Sequence, residues 1–159
     1  MIVVPDAGPL ISLAGARQLD LLPALYAEVV VPRVVFEEVV VAGAGLTGAR
    51  EVEAATWLRI EDVAPDPSLL GVLDKGEAAA IPLAQQLGAT LLADDADARA
   101  VAKERGIIVV GTLGVLLAAK RKRLIAEVAP IIVRMESLGM FVSARLREEV
   151  LRLADEDGV

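Results

Sequence analysis

Acidic side chains stand next to several apolar runs of this sequence, and they are the residues best suited to chemistry. Asp6 follows the opening run MIVVP, Asp94 and Asp95 follow a later apolar run, and Glu38 and Glu77 lie between them. The chain of 159 residues contains no Cys and no His. A metal site would therefore consist of oxygen ligands, which suit Mg²⁺, Mn²⁺ or Ca²⁺. Nucleophilic machinery that depends on a histidine base is excluded.

The elements that must position these acids are short strands alternating with helices. This alternation predicts βαβ units and a mainly parallel sheet. The apolar runs show no strict alternation, which is typical of strands covered on both faces. The strands are predicted at 1–5, 28–31, 57–63, 89–93 and 107–110, and the helices at 9–26 in two pieces, 32–42, 49–56, 76–87, 94–105, 113–122 after a turn at 111–112, and 143–154.

The acids converge on one edge of this predicted sheet. Ligands of parallel sheets bind beyond the carboxyl ends of the strands, and Asp6, Asp94 and Asp95 each follow a strand end. Helical periodicity places Glu38 and Glu77 on the inward, apolar faces of their predicted helices. A buried carboxylate is costly without a compensating partner. A divalent cation is the partner that this pattern favours.

Each acid also has a simpler interpretation. Asp6, Asp94 or Asp95 could cap the helix that follows it, since Asp is a favoured N-cap residue. Glu77 would suit the dipole at a helix N-terminus. Asp97 is better explained as a solvated acid of a first helical turn than as a ligand. Convergence of four acidic positions from distant segments favours the metal site over four separate caps.

Composition narrows the class of protein. Apolar residues make up 55% of the chain, and the formal net charge is −7. No apolar run approaches the ~20 residues of a membrane span, and no basic segment of a secretory signal opens the chain. We expect one cytoplasmic domain over residues 1–159, with no membrane contact. The negative charge argues against a simple basic nucleic-acid binder, but not against a nuclease whose carboxylates hold metal ions.

Five segments resemble motifs of the PIN-domain family, to which VapC-type ribonuclease toxins belong. They are VVPDAGPLI, VPRVVFEEV, GEAAAIPLA, LLADDADAR and VVGTLGVLLAAK, the last similar to an uncharacterised VapC-like PIN subgroup, and the match spans roughly residues 1–125. The resemblance implies a three-layer α/β/α sandwich with a central, mainly parallel sheet of about five strands. It also implies metal ligands at Asp6, Glu38, Glu77 and Asp95, with Asp94 or Asp97 as helpers.

The same resemblance implies a function. Proteins of this kind hydrolyse RNA phosphodiester bonds with Mg²⁺ or Mn²⁺, and VapC-type members pair with a small antitoxin protein and form homodimers. The candidate substrate-binding residues are Arg99, Lys103 and Thr112, whereas the KRKR run at 120–123 is better explained as a solvated helix end. The predicted helix 143–154 either covers the core or joins a dimer interface.

Two features depart from the family pattern. Ala7 and Gly8 stand where members usually carry hydroxyl side chains after the first Asp. This departure supports an alternative function, an inactive PIN scaffold that binds a partner protein or RNA. Pro82 lies inside the helix predicted from residue 76, where it removes a hydrogen bond and is expected to kink the helix.

Overall fold

Five short parallel strands form the centre of the molecule. The computed structural model describes residues 1–156. The strand order is β3-β2-β1-β4-β5, and every neighbouring pair is parallel. The predicted five-stranded parallel sheet is therefore confirmed. The strands are β1 (Ile2–Pro5), β2 (Glu28–Pro32), β3 (Leu58–Glu61), β4 (Thr90–Leu92) and β5 (Val109–Val110).

Nine α-helices lie within the described residues. Three of them are only five residues long, and a π-helical turn at Glu38–Ala42 and a 3₁₀ turn at Pro67–Leu69 complete the helical elements. The helices are α1 (Ala7–Gly15), α2 (Leu21–Leu25), α3 (Arg33–Glu37), α4 (Ala49–Glu53), α5 (Lys75–Leu87), α6 (Ala96–Glu104), α7 (Thr112–Arg121), α8 (Ala129–Ser137) and α9 (Ala144–Leu153).

Helices cover both faces of the sheet, which explains why the strands are apolar throughout. Successive strand residues point to opposite faces, so Val3 packs into one core cluster and Val4 into the other. The core-cluster residues that α5 and α6 contribute all belong to the second cluster, while those that the other seven helices contribute belong to the first. The fold is the predicted three-layer α/β/α sandwich.

The helix predicted over 32–42 changes character at Glu38. The regular part, α3, ends at Glu37, and the wider π-helical turn follows. This turn ends at Gly43, where a Cβ atom would lie 2.5 Å from the Val39 carbonyl oxygen. Real Cβ atoms do not approach an oxygen so closely, so the tight ending of this segment requires a glycine. Turns of this type are frequent at functional sites.

Pro82 does not interrupt α5, which continues as one element from Lys75 to Leu87. A proline leaves the carbonyl four residues earlier without its helical donor. Here that carbonyl belongs to Ala78, and it accepts a hydrogen bond of 2.9 Å from the N–H of Asp66. The freed carbonyl thereby attaches the loop before α5 to the helix.

The C-terminal helix packs on the body of the protein. Val150 of α9 is buried in the first core cluster, and α9 contacts α7. Glu156 accepts hydrogen bonds from Lys120 at 2.8 Å and from the Val128 and Ala129 N–H groups at 2.8 and 2.9 Å. No described helix is long and apolar enough to cross a membrane.

Candidate carboxylate site

Asp6 lies where β1 gives way to α1, at the carboxyl edge of the sheet. Its backbone N–H donates to the carbonyl oxygen of Leu92 at 2.9 Å, which holds the end of β1 against the end of β4. Asp6 occupies the N-cap position of α1, yet its side chain makes no capping hydrogen bond. The capping interpretation therefore does not explain this carboxylate.

The environment of Asp6 disfavours its charge. Burial raises the pKa of Asp6 to about 7, against the lowering effect of a hydrogen bond from the Ala7 backbone. Repulsion from Glu77, Asp74 and Glu38 contributes to this raised pKa. A carboxylate surrounded by other carboxylates favours either a proton or a cation.

Glu77 and Asp74 form a capping box at the start of α5. The Asp74 side chain accepts from the Glu77 N–H at 2.8 Å, and the Asp74 N–H donates to the Glu77 side chain at 3.2 Å. Glu77 is 8% exposed. Burial raises its pKa to about 7, and Asp74 and Asp95 contribute repulsion. The same helix start thus supplies a stable cap and two carboxylates.

Asp74 is a member of this acidic group that the prediction missed. The signal for it was present, because an Asp three residues before a Glu at a helix start is the capping-box pattern. The interpretation of Glu77 as an isolated acid on an apolar stripe overlooked this partner.

The side chains of Asp6, Asp74 and Glu77 form an acidic group, and Glu38 lies at its rim rather than inside it. Its predicted inward orientation is wrong, because the residue is exposed. The buried residues of this segment are Val35 and Val39, and Glu38 lies beside this stripe rather than on it. Partial burial still raises the pKa of Glu38, and Asp74 adds repulsion. Glu38 therefore remains electrostatically part of the group.

Gly76 leaves open the space between these side chains. A Cβ atom at this position would lie 3.3 Å from Asp6 Oδ1 and 3.5 Å from Asp74 Oδ1. It would also lie 3.3 Å from Val35 of α3. Carboxylate oxygens of Asp6, after β1, and of Asp74, before α5, thus face the same small space, which any larger residue at position 76 would begin to fill.

Asp95 both caps helix α6 and belongs to the acidic group. Its Oδ2 atom accepts from the Ala98 N–H at 2.9 Å at the start of α6, as the capping interpretation predicts. Its charge nevertheless helps to raise the pKa of Glu77. One carboxylate can serve both purposes because only one of its two oxygens is used by the cap.

The structure does not bring Asp94 and Asp97 into the group. Asp94 turns toward α7, where it accepts from the N–H and the hydroxyl of Thr112 at 2.8 and 2.6 Å. Asp97 is exposed in the first turn of α6. Neither carboxylate contributes to the raised pKa of Asp6 or Glu77.

The three predicted substrate contacts have different outcomes. Thr112 is wrong as a substrate contact, because it is fully buried and its hydroxyl is used by Asp94. Arg99 is half-buried one helical turn beyond Asp95, and its guanidinium donates to the Ala93 carbonyl oxygen at 2.9 Å. Lys103 is exposed one turn further along α6. Arg99 therefore provides the positive charge nearest to Asp95 on this helix.

The donor set fits a hard divalent cation, although it is not preassembled. Carboxylate oxygens suit Mg²⁺ and Mn²⁺, and the repulsion between these carboxylates favours the binding of a cation. Within residues 1–156, no three acidic side chains are arranged to hold a metal ion as they stand. Binding would require side-chain rotations. The acids concerned are Asp6, Glu38, Asp74, Glu77 and Asp95.

A doubly wound parallel sheet with carboxylates at its carboxyl edge defines an α/β protein whose ligands bind at that edge. The sequence model of a family described as the PIN domain matches residues 2–156, and the chain belongs to the PIN-domain family. Members of this family are generally nucleases that use divalent metal ions.

The fold also resembles a solved structure. This is a PilT N-terminus domain protein from the hyperthermophilic archaeon Sulfolobus solfataricus P2, with a TM-score of 0.54 and 22% sequence identity. The alignment covers 75% of the present chain and 93% of the archaeal chain. At this identity the similarity shows the fold alone. No curated protein sequence matches the chain.

Proposed function

We propose that this PIN-domain protein is a Mg²⁺- or Mn²⁺-dependent endoribonuclease. The observation that carries the proposal is the mutual repulsion of half-buried Asp6 and buried Glu77 at the carboxyl edge of the sheet, where each has a pKa of about 7. Such an arrangement is unfavourable unless protons or cations neutralise it. In a chain without histidine, this group is also the best candidate for chemistry at a phosphodiester.

The proposed roles follow from where each side chain lies. Asp6 and Asp95 would hold the cation directly, and Glu77 and Glu38 would complete the shell from the helix start and the rim. A bound divalent cation supplies Lewis acidity toward the scissile phosphate and toward water. Asp6 and Glu77 must release their protons before they bind it. Affinity for the cation should therefore rise as the pH rises through about 7.

Arg99 would orient the substrate. Its contact with the Ala93 carbonyl holds the guanidinium one turn beyond Asp95, and a guanidinium is well suited to bind a phosphate. Lys103 would add a second, exposed contact with the RNA backbone. The positive charges of Arg99 and Lys103 would offset part of the repulsion between the net-negative chain and RNA.

Cleavage of a mixed pool of single-stranded and structured RNAs tests the proposal. We expect cutting with Mn²⁺ or Mg²⁺, none with EDTA, and none by the Asp6→Asn variant. Asp20→Asn is the matched control, because Asp20 is an exposed acid whose side chain makes no capping bond. Cutting that persists in Asp6→Asn would refute the assignment. RNA binding without cutting under any metal would instead favour the inactive scaffold, which the lack of a hydroxyl at Ala7 and Gly8 supports.

We propose further that the protein acts as the cytoplasmic toxin of a toxin–antitoxin pair and forms a homodimer. The dimer is supported by a groove of about 510 Å³ between β5, α7 and α9. Phe141 at this groove is 86% exposed, and Leu146 and Leu153 are 43% and 44% exposed. A Phe141→Ser variant should be monomeric by light scattering if the groove is the interface. A small antitoxin with basic side chains would suit the acidic edge.

A further inference from the structure

Asp94 lies beside the site and makes two short hydrogen bonds with Thr112. We propose that Asp94 and Thr112 are a positioning pair that fixes the direction of Asp95 and of Arg99. This inference builds on the proposed function, which gives Asp95 its role as a cation ligand. Neither Asp94 nor Thr112 would touch the cation or the RNA.

The backbone explains why neighbouring aspartates serve different purposes. At Asp95 the chain has a polyproline-like conformation, with φ −64° and ψ 129°, in which successive side chains point in different directions. Asp94 turns to α7, while Asp95 turns to the start of α6 and toward Glu77. Fixing the side chain of Asp94 therefore also limits rotation of the backbone that carries Asp95.

Two hydrogen bonds fix the Asp94 carboxylate against Thr112. Both carboxylate oxygens are used, Oδ1 by the Thr112 N–H at 2.8 Å and Oδ2 by the hydroxyl at 2.6 Å. Thr112 is fully buried as the first residue of α7, and a carboxylate is stabilised at a helix N-terminus. Removing the hydroxyl would leave one carboxylate oxygen without its protein partner.

Arg99 joins the same unit. A Cβ atom at Gly111 would lie 3.0 Å from Asp94 Oδ1 and 3.1 Å from the Arg99 guanidinium. The guanidinium is anchored on the Ala93 carbonyl, the residue directly before Asp94. A glycine at position 111 thus lets the aspartate and the arginine close over the start of α7. Residues 93–99 then form one rigid segment that carries both the proposed metal ligand, Asp95, and the positively charged Arg99.

The test compares two substitutions at one position. Thr112→Val removes the hydroxyl and keeps the shape, whereas Thr112→Ser keeps the hydroxyl. We expect Thr112→Val to weaken Mn²⁺ affinity about tenfold, the usual scale for loss of a partner behind a metal ligand. We expect Thr112→Ser to stay within about twofold of wild type. In the metal-free protein, amide exchange of Ala98, whose N–H is held by Asp95, should accelerate in Thr112→Val and not in Thr112→Ser.

A purely structural role gives different results. Ile132→Val, in the buried part of α8, serves as a control that lowers the melting temperature away from the site. If Thr112→Val lowers the melting temperature like this control but leaves Mn²⁺ affinity and Ala98 exchange unchanged, the inference is overturned. If wild type binds no Mn²⁺, the proposed function fails instead, and the exchange of Ala98 still decides whether Thr112 positions Asp95.

Discussion

Replacing Asp6 by Asn should stabilise the metal-free protein at alkaline pH while it abolishes metal binding. Burial raises the pKa of Asp6 from 3.8 to about 7. One pKa unit corresponds to 1.36 kcal/mol, so the ionised form is disfavoured in the folded state by about 4 kcal/mol. Asn has nearly the same shape, carries no charge and can still accept a hydrogen bond from the Ala7 backbone.

The sign of the pH dependence follows from proton counting. Between pH 4 and 7 the folded protein keeps a proton on Asp6 that the unfolded chain has released, because the folded pKa is the higher one. The free energy of unfolding therefore falls as the pH rises through this range and levels off above about 7. At pH 5 the protonated Asp6 and its Asn replacement should be nearly equivalent, and at pH 8 they should differ.

The expected difference at pH 8 is smaller than the full shift. Glu77 also titrates near 7 and repels Asp6, so the two carboxyl groups titrate as a coupled pair. Part of the pKa shift of Asp6 therefore belongs to the pair, and the substitution at Asp6 recovers less than the full free energy. A gain of about 2–4 kcal/mol would raise the melting temperature by roughly 5–15 °C for a domain of this size. With Mn²⁺ at a hundred times its dissociation constant, wild type should gain about 2.7 kcal/mol and the variant should not.

Thermal unfolding in EDTA at pH 5 and pH 8 measures these differences directly. Asp20→Asn changes the net charge by the same amount at an exposed position, and it should show no comparable gain. A melting temperature of Asp6→Asn equal to wild type at pH 8, or a gain as large at pH 5 as at pH 8, would show that Asp6 does not carry a buried charge.

Three smaller changes test the elements around the site. Asp74→Ser keeps a capping oxygen but removes a charge, so the melting temperature should stay within about 2 °C while Mn²⁺ affinity falls; unchanged affinity would make Asp74 only a cap. Pro82→Ala should alter the free energy of unfolding by less than about 1 kcal/mol in urea, because the carbonyl one turn earlier already has a partner; a gain near the ~3 kcal/mol of an ordinary interior proline would contradict this. Glu156→Gln should cost about 1–3 kcal/mol, since Lys120 loses its charged partner; a loss no larger than that of exposed Glu53→Gln would refute the role of this contact.

The fold could be predicted from sequence because its signals are local and agree with each other. Apolar strand runs, helical patterns and their alternation require no knowledge of distant contacts. The runs MIVVP and ATLLA became β1 and β4 because both faces of each strand are covered, and Asp6 follows β1 directly. Element ends differ by a few residues, as for β5, where capping and pairing rather than composition set the limits.

Side-chain directions were less predictable, since they depend on contacts between segments. Nothing local distinguishes Asp94 from Asp95, and the partner of Asp94 lies 18 residues later. Glu38 was misplaced because helical periodicity alone did not show that the buried stripe runs through Val35 and Val39. Thr112 was assigned to substrate from a motif, although motifs do not reveal whether a hydroxyl is already bonded within the protein.

The capping box explains how such a repulsive group can fold at all. Its reciprocal hydrogen bonds stabilise the start of α5 while they fix Asp74 and Glu77 within the acidic group. The N-cap of Asp95 does the same at α6. Asp6 makes no such bond and has a strongly raised pKa. The unfavourable charge thus falls on Asp6 and Glu77, whose pKa values are both raised to about 7, and for this reason these two residues should govern the pH dependence of stability around neutrality.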